Sequence, residues 1–153
     1  MLTKEERKER NTRFWEGFRK EMRKIRAASG RNIDWINYPT QVKDIYIRME
    51  TDSKGAAFCI DIQPKDNGIR ALLWEQMTEL KRLLEEDMGE GEWIEIDRVF
   101  VGRNVSRIKW KKEGINFYNE DDLDAFKAFF KEKLVSFDYF YQEYKDILLA
   151  LLD

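Results

Sequence analysis

An aromatic stripe near the C-terminal end constrains the fold of this chain more than any other feature. Phe126, Phe129, Phe130, Lys133, Phe137, Phe140, Tyr141, Tyr144, Leu148 and Leu151 recur at mostly three- and four-residue spacing. On an α-helix those positions share one side. The stem of Lys133 can lie along that side while its ammonium stays in water. Asn119 to Asp124 is acidic, which suits the positive end of a helix dipole, so one helix is predicted from there to about Leu152. So bulky a stripe needs a broad apolar partner. Its last turn, Ile147 to Leu152, is apolar on every side, which calls for full burial or contact with a second copy of the chain. Tyr144, Ile147, Leu148, Leu151 and Leu152 are therefore the candidate residues for a homodimer interface.

The remainder of the chain supplies that partner as strands. Val42 to Glu50 alternates, with Ile45, Ile47 and Met49 on one face and Tyr46, Arg48 and Glu50 on the other. Thr51 to Gly55 is turn-forming, and Ala56 to Gln63 returns with Phe58, Ile60 and Ile62 opposite Cys59, Asp61 and Gln63. Trp93 to Val101 and Val105 to Lys111 read as two more strands around Gly102-Arg103-Asn104. Ile33 to Tyr38 reads as a short strand closed by Pro39, and Ile115 to Tyr118 as a last extended piece. Two further helices are expected. One starts at a Thr3/Glu6 capping box, runs to Ala28 and carries Phe14, Phe18, Met22 and Ile25 on one stripe. The other spans Ile69 to Met88 and stops at Gly89. Short connections between strands imply antiparallel pairing. The expected architecture is α+β: about five mostly antiparallel strands flanked by three helices, in the order α-β-β-β-α-β-β-α, forming a single domain over residues 1–153. Residues 4–13 contain no apolar side chain. The first turns, about residues 3–13, are thus expected to project from the core, held by pairs such as Glu6 with Arg10.

Composition excludes whole classes of chemistry. The 153 residues include no histidine and one cysteine, Cys59. Histidine-based nucleophilic catalysis, imidazole ligation of metals, paired-thiolate sites and internal disulfides are all ruled out. Cys59 lies in an apolar strand without an activating base, so it reads as a small buried hydrophobe. The start of the chain has no signal-peptide core, and its longest apolar run, Ile147 to Leu152, falls far short of the ~20 residues a membrane helix requires. A cytoplasmic protein with no membrane partner is expected.

The charge is segregated. Residues 1–31 hold eleven Lys or Arg against five Glu, although the whole chain is at −2. Glu85 to Asp97 carries seven acids and no base, and Arg98 to Lys112 six bases and no acid. Arg107, Lys109 and Lys111 alternate, so they share one face of their strand, with Arg103 and Lys112 at its ends. Cations about 6.6 Å apart can track the phosphates of DNA or RNA. The same row can instead form cross-strand ion pairs with Glu95 and Asp97, or protect a sheet edge.

A second constellation is Asp44, Asp61, Gln63 and Lys65. With a turn centred at Ser53, Asp44 lies beside Ile62 and close to Gln63. An acid on one strand, with an acid or amide two residues before a lysine on the next, resembles the signature of restriction-type nucleases. Their chemistry uses Mg²⁺ on oxygen ligands, with the lysine stabilising charge. Pro64, between Gln63 and Lys65, argues for a strand end there, and the plain alternative is a polar strand end beside a turn. Outside this nuclease reading no cofactor or metal is expected.

Several short patterns together resemble a bacterial family, the domain of unknown function family 4268. They are Phe14-Trp15-Glu16 in the first helix, Trp93-Ile94-Glu95 after the second, Arg107-Ile108, and the acidic-capped helix around Leu123 to Phe137. The likeness covers roughly Phe14 to Leu149. Members of that family often form the C-terminal part of longer proteins whose preceding part is similar to restriction-type nucleases, while others stand alone. The family carries no established activity, so the resemblance transfers no catalytic residue. Three functions stay open on this reading: a non-catalytic nucleic-acid-binding accessory domain, a Mg²⁺-dependent nuclease, and an interaction module that dimerises through its last helix.

Overall fold

A computed structural model of the chain describes residues 2–100 and 102–152, with the side chains of 98–100 outside the description. Val101, the expected end of the third long strand, therefore lies outside the described residues. The described chain forms an α+β domain in the order α1 (Lys4–Met22), β1 (Ile45–Thr51), β2 (Gly55–Ile62), α2 (Asn67–Glu79), α3 (Lys81–Met88), β3 (Glu92–Phe100), β4 (Arg103–Glu113) and α4 (Leu123–Ala150), with a 3₁₀ turn at Glu120–Asp122 before α4. The strands make one antiparallel sheet in the order β1-β2-β4-β3. Among the described residues there are thus four strands and four helices, where five and three were expected.

The aromatic stripe of α4 finds the partner it needs. Phe137 packs on Phe58 of β2, and Phe126 and Phe130 meet Phe14, Phe18 and Phe117. Phe58, Ile60, Ile62, Ile108 and Trp110 turn to this helical side and join one continuous core. Trp74 of α2 meets Trp93 of β3 on the same side. Burying a large side chain of this kind contributes about 1.5–3 kcal/mol.

Each departure from the expected elements has a physical cause. The helix predicted over Ile69 to Met88 breaks at Leu80 (φ −91°, ψ 2°), whose N–H reaches both Gln76 and Met77 carbonyls. The break lets Leu73 and Met77 on one segment and Leu84 and Met88 on the next all reach the core. Helix α1 stops at Met22, not Ala28, because tertiary partners claim the following backbone. Ala28 N–H donates to buried Asp138 at 2.7 Å, and the Ile25 carbonyl accepts from Trp35 Nε1 at 3.0 Å. Ile33 to Tyr38 is no strand. Asp34 Oδ1 accepts from Ile36 and Asn37 N–H and folds the segment into a turn that plugs Trp35 and Tyr38 into the core. Ile115 to Tyr118 is likewise no strand: Phe117 N–H reaches only the Asp52 carbonyl, and Ile115 and Phe117 pack inward.

The Thr3/Glu6 capping box forms as expected. Residues 3–13 stay out of the core, but they are tied down along one side. Arg7 stacks over Tyr118 at 4.5 Å, and Arg10 pairs with Glu120 at 3.3 Å, not with Glu6. No helix among the described residues is long and apolar enough to cross a membrane.

Candidate functional site

The sheet face turned away from the helices is polar, and the alternation of each strand decides what stands on it. Strand β1 contributes Tyr46, Arg48 and Glu50, β2 contributes Ala57, Cys59 and Asp61 with Gln63 just beyond its end, and β4 contributes Arg107, Lys109 and Lys111. The pairing sets three rows across the face: Tyr46–Asp61–Arg107, Arg48–Cys59–Lys109 and Glu50–Ala57–Lys111. The β1–β2 register differs by one residue from the sequence expectation. Ile45, not Asp44, faces Ile62, because Asp52 Oδ1 accepts from Lys54 and Gly55 N–H and fixes a tighter turn.

That shift builds an ion cluster. Asp61 is 0% exposed and Arg107 3%. Arg107 grips Asp61 with two parallel bonds, Nε to Oδ1 at 2.7 Å and Nη2 to Oδ2 at 2.8 Å. This bidentate fork is the strongest common geometry for the pair. Arg48 Nη1 adds bonds to Asp61 Oδ2 at 2.5 Å and to Gln63 Oε1 at 2.6 Å. Glu50 approaches Arg107 Nη1 at 3.5 Å. The bonds to Asp61 push the Arg107 pKa further up despite its burial. Cys59 lies beneath this lattice, wholly buried, and burial pushes its thiol up to about 12.

The four residues of the nuclease pattern do not meet in one cleft. Both oxygens of Asp61 are held by guanidinium donors, and Gln63 is turned to Arg48, so this donor set does not fit Mg²⁺, which requires free oxygen ligands. Asp44 sits just before β1 in the left-handed region (φ 66°) and joins Gln63 through its backbone carbonyl, at 2.9 Å. Lys65 is exposed beyond Pro64 and lines a different hollow, about 330 Å³, with Asn67, Arg103 and Asn104. Among the described residues no cluster of three or more Asp, Glu, Cys or His could hold a metal ion.

The basic strand divides into three parts. Arg107 is buried in the ion cluster. Arg103 lies at the Lys65 hollow. Lys109, Lys111 and Lys112 line a cleft of about 720 Å³ at the opposite end of β4, roughly 26 Å from Arg103 along the strand. The expected cross-strand pairs with Glu95 and Asp97 do not form. Ile94 stands opposite Arg107, Asp97 faces Val105, and Lys111 meets Glu92 at 3.8 Å.

Lys54 joins the cleft from the β1–β2 turn, a residue the sequence reading missed. The signal for it was the pairing of β2 with β4, which sets Gly55 opposite Glu113 across the sheet. Among the described residues, no acid lies within 4 Å of the Lys54, Lys109 or Lys112 ammonium. Three of the four acids in the cleft are engaged internally. Glu50 faces Arg107, Asp52 accepts two turn N–H groups, and Asp122 accepts from Asn116 N–H.

At the C-terminal end the candidate interface is mostly folded inward. Leu148 is buried, and Tyr144 and Leu151 pack against the core, while Ile147 and Leu152 remain 40% and 39% exposed.

Fold and polar face together define an α+β domain with helices on one side of a four-stranded sheet and a cross-linked ionic surface on the other. The family model described as Domain of unknown function (DUF4268) matches residues 11–145, and the chain belongs to that family. Comparison with curated proteins and with solved structures finds no match to either.

Proposed function

We propose that this domain is a non-catalytic accessory module that binds nucleic acid through the lysine-lined cleft at the Gly55 end of its sheet. The observation that carries this reading is that Lys54, Lys109 and Lys112 line one concave surface, none with an acid in ion-pair range among the described residues. Lys111 adds a fourth ammonium, shared with Glu92. Phosphates are the ligand such a surface suits, because each one neutralised releases condensed counterions. Arg103 and Lys65, at the far end of β4, extend the basic footprint. Arg107 has a supporting role here: it fixes the strand that presents Lys109 and Lys111.

A titration of the full chain with short DNA and RNA probes at two salt concentrations tests this. Affinity is expected to fall with salt, with a log–log slope of about 0.7–0.9 per phosphate contacted. Lys109→Glu combined with Lys112→Glu is expected to remove most of the binding, with circular dichroism checking that the double variant is folded. Binding that is absent, or indifferent to salt and to both substitutions, would overturn the proposal.

A further inference from the structure

We infer that the cleft receives a single nucleic-acid strand in preference to a duplex; this rests on the binding role proposed above and specifies its ligand. Proteins that read duplexes push a protruding helix or two-stranded ribbon into a groove about 12 Å wide. The cations here do the reverse. They line a hollow between the turn at 52–54 and the segment at 113–116, and neither wall is a helix. A concave, cation-lined groove follows the backbone of a flexible strand, which bends into it, whereas a stiff duplex bridges its rim.

The inner surface is suited to close approach. Gly55, Ala56 and Ala57 contribute small residues to its lining. Lys109 and Lys111 are two residues apart on one strand face, about 6.6 Å, a spacing that can meet successive phosphates. Glu113 is the one acid of the cleft without an internal donor among the described residues, and it penalises any ligand that spreads charge over that rim.

The experiment compares fluorescently labelled probes of about twelve nucleotides, as single-stranded DNA, single-stranded RNA and the matching duplex, by anisotropy at about 50 and 200 mM salt. Single strands are expected to bind about tenfold or more tightly than the duplex. Lys109→Glu with Lys112→Glu is expected to abolish that preference, with Lys54→Glu as a second variant on an exposed turn in case the pair impairs folding. Equal or tighter duplex binding that still depends on these lysines would overturn the single-strand inference and leave the binding role standing. No salt-sensitive binding of any probe would overturn both. Single-strand binding unchanged in folded Lys54→Glu and Lys109→Glu/Lys112→Glu proteins would remove the cleft as its location.

Discussion

Asp61 and Arg107 face each other across β2 and β4 with two bonds of 2.7 and 2.8 Å, and both side chains are almost wholly withdrawn from water. Removing Arg107 takes the fork from buried Asp61 and leaves Arg48 as its remaining cationic partner, so the loss should lie at or below the ~3–5 kcal/mol typical of breaking a buried pair. Arg107→Ala is therefore expected to lower the midpoint of urea unfolding sharply. Arg107→Lys should lose less, since it keeps the charge and forfeits only the fork. An Arg107→Ala protein as stable as the parent would show that the pair does not stabilise the sheet.

A second buried carboxylate ties the N-terminal segment to α4. Asp138 accepts from Tyr38 Oη at 2.5 Å and from Ala28 N–H at 2.7 Å. Tyr38→Phe deletes one bond to a charged group, a loss of about 1.5–3 kcal/mol. The loss should appear in thermal or urea unfolding, and hydrogen exchange at Ala28 should rise with it. Because burial raises the Tyr38 hydroxyl pKa, this bond should persist well into the alkaline range.

Cys59 gives a pH dependence with a definite sign. Burial raises its thiol from its ordinary 9.0 to about 12. Between those values the unfolded chain releases this proton and the folded chain keeps it. Unfolding is therefore favoured as pH rises, with a slope of up to about 1.4 kcal/mol per pH unit for the one group. The raised hydroxyls of Tyr38 and Tyr141 act in the same sense at higher pH. Stability measured from pH 8 upward should decline from about pH 9, and Cys59→Ala should flatten the first part of that decline. Thiol-directed reagents at neutral pH should label the protein only after denaturant is added.

Gly55 is needed for its lack of a side chain. A Cβ there would lie 2.1 Å from the Lys112 carbonyl oxygen, a backbone atom that cannot step aside cheaply. Gly55→Ala is expected to destabilise the domain by about 1–3 kcal/mol, the usual range for overpacking. It should also weaken nucleic-acid binding by displacing Lys54 and Lys112 together. Unfolding curves and the anisotropy titration check the two effects separately.

The α+β class, the inward faces of β1, β2 and β4, the long terminal helix, the Thr3 cap and the burial of Cys59 are legible in the order of residues along the chain. These follow from periodicity and local capping, which act over a few residues. The rest depends on contacts between distant segments. Nothing local marks Leu80 as a helix break; it bends because two apolar stretches must reach one core. Ile33 to Tyr38 has strand propensity, but Asp34 and the burial of Trp35 override it. The candidate site shows the same division. Alternation put Arg107, Lys109 and Lys111 on one face, yet it could not reveal that Asp61 takes the first of them. Which cation is buried and which is free depends on the β1-β2-β4-β3 order and on a one-residue register. Both are set by side-chain packing between segments distant in the chain, and no window along the sequence contains them.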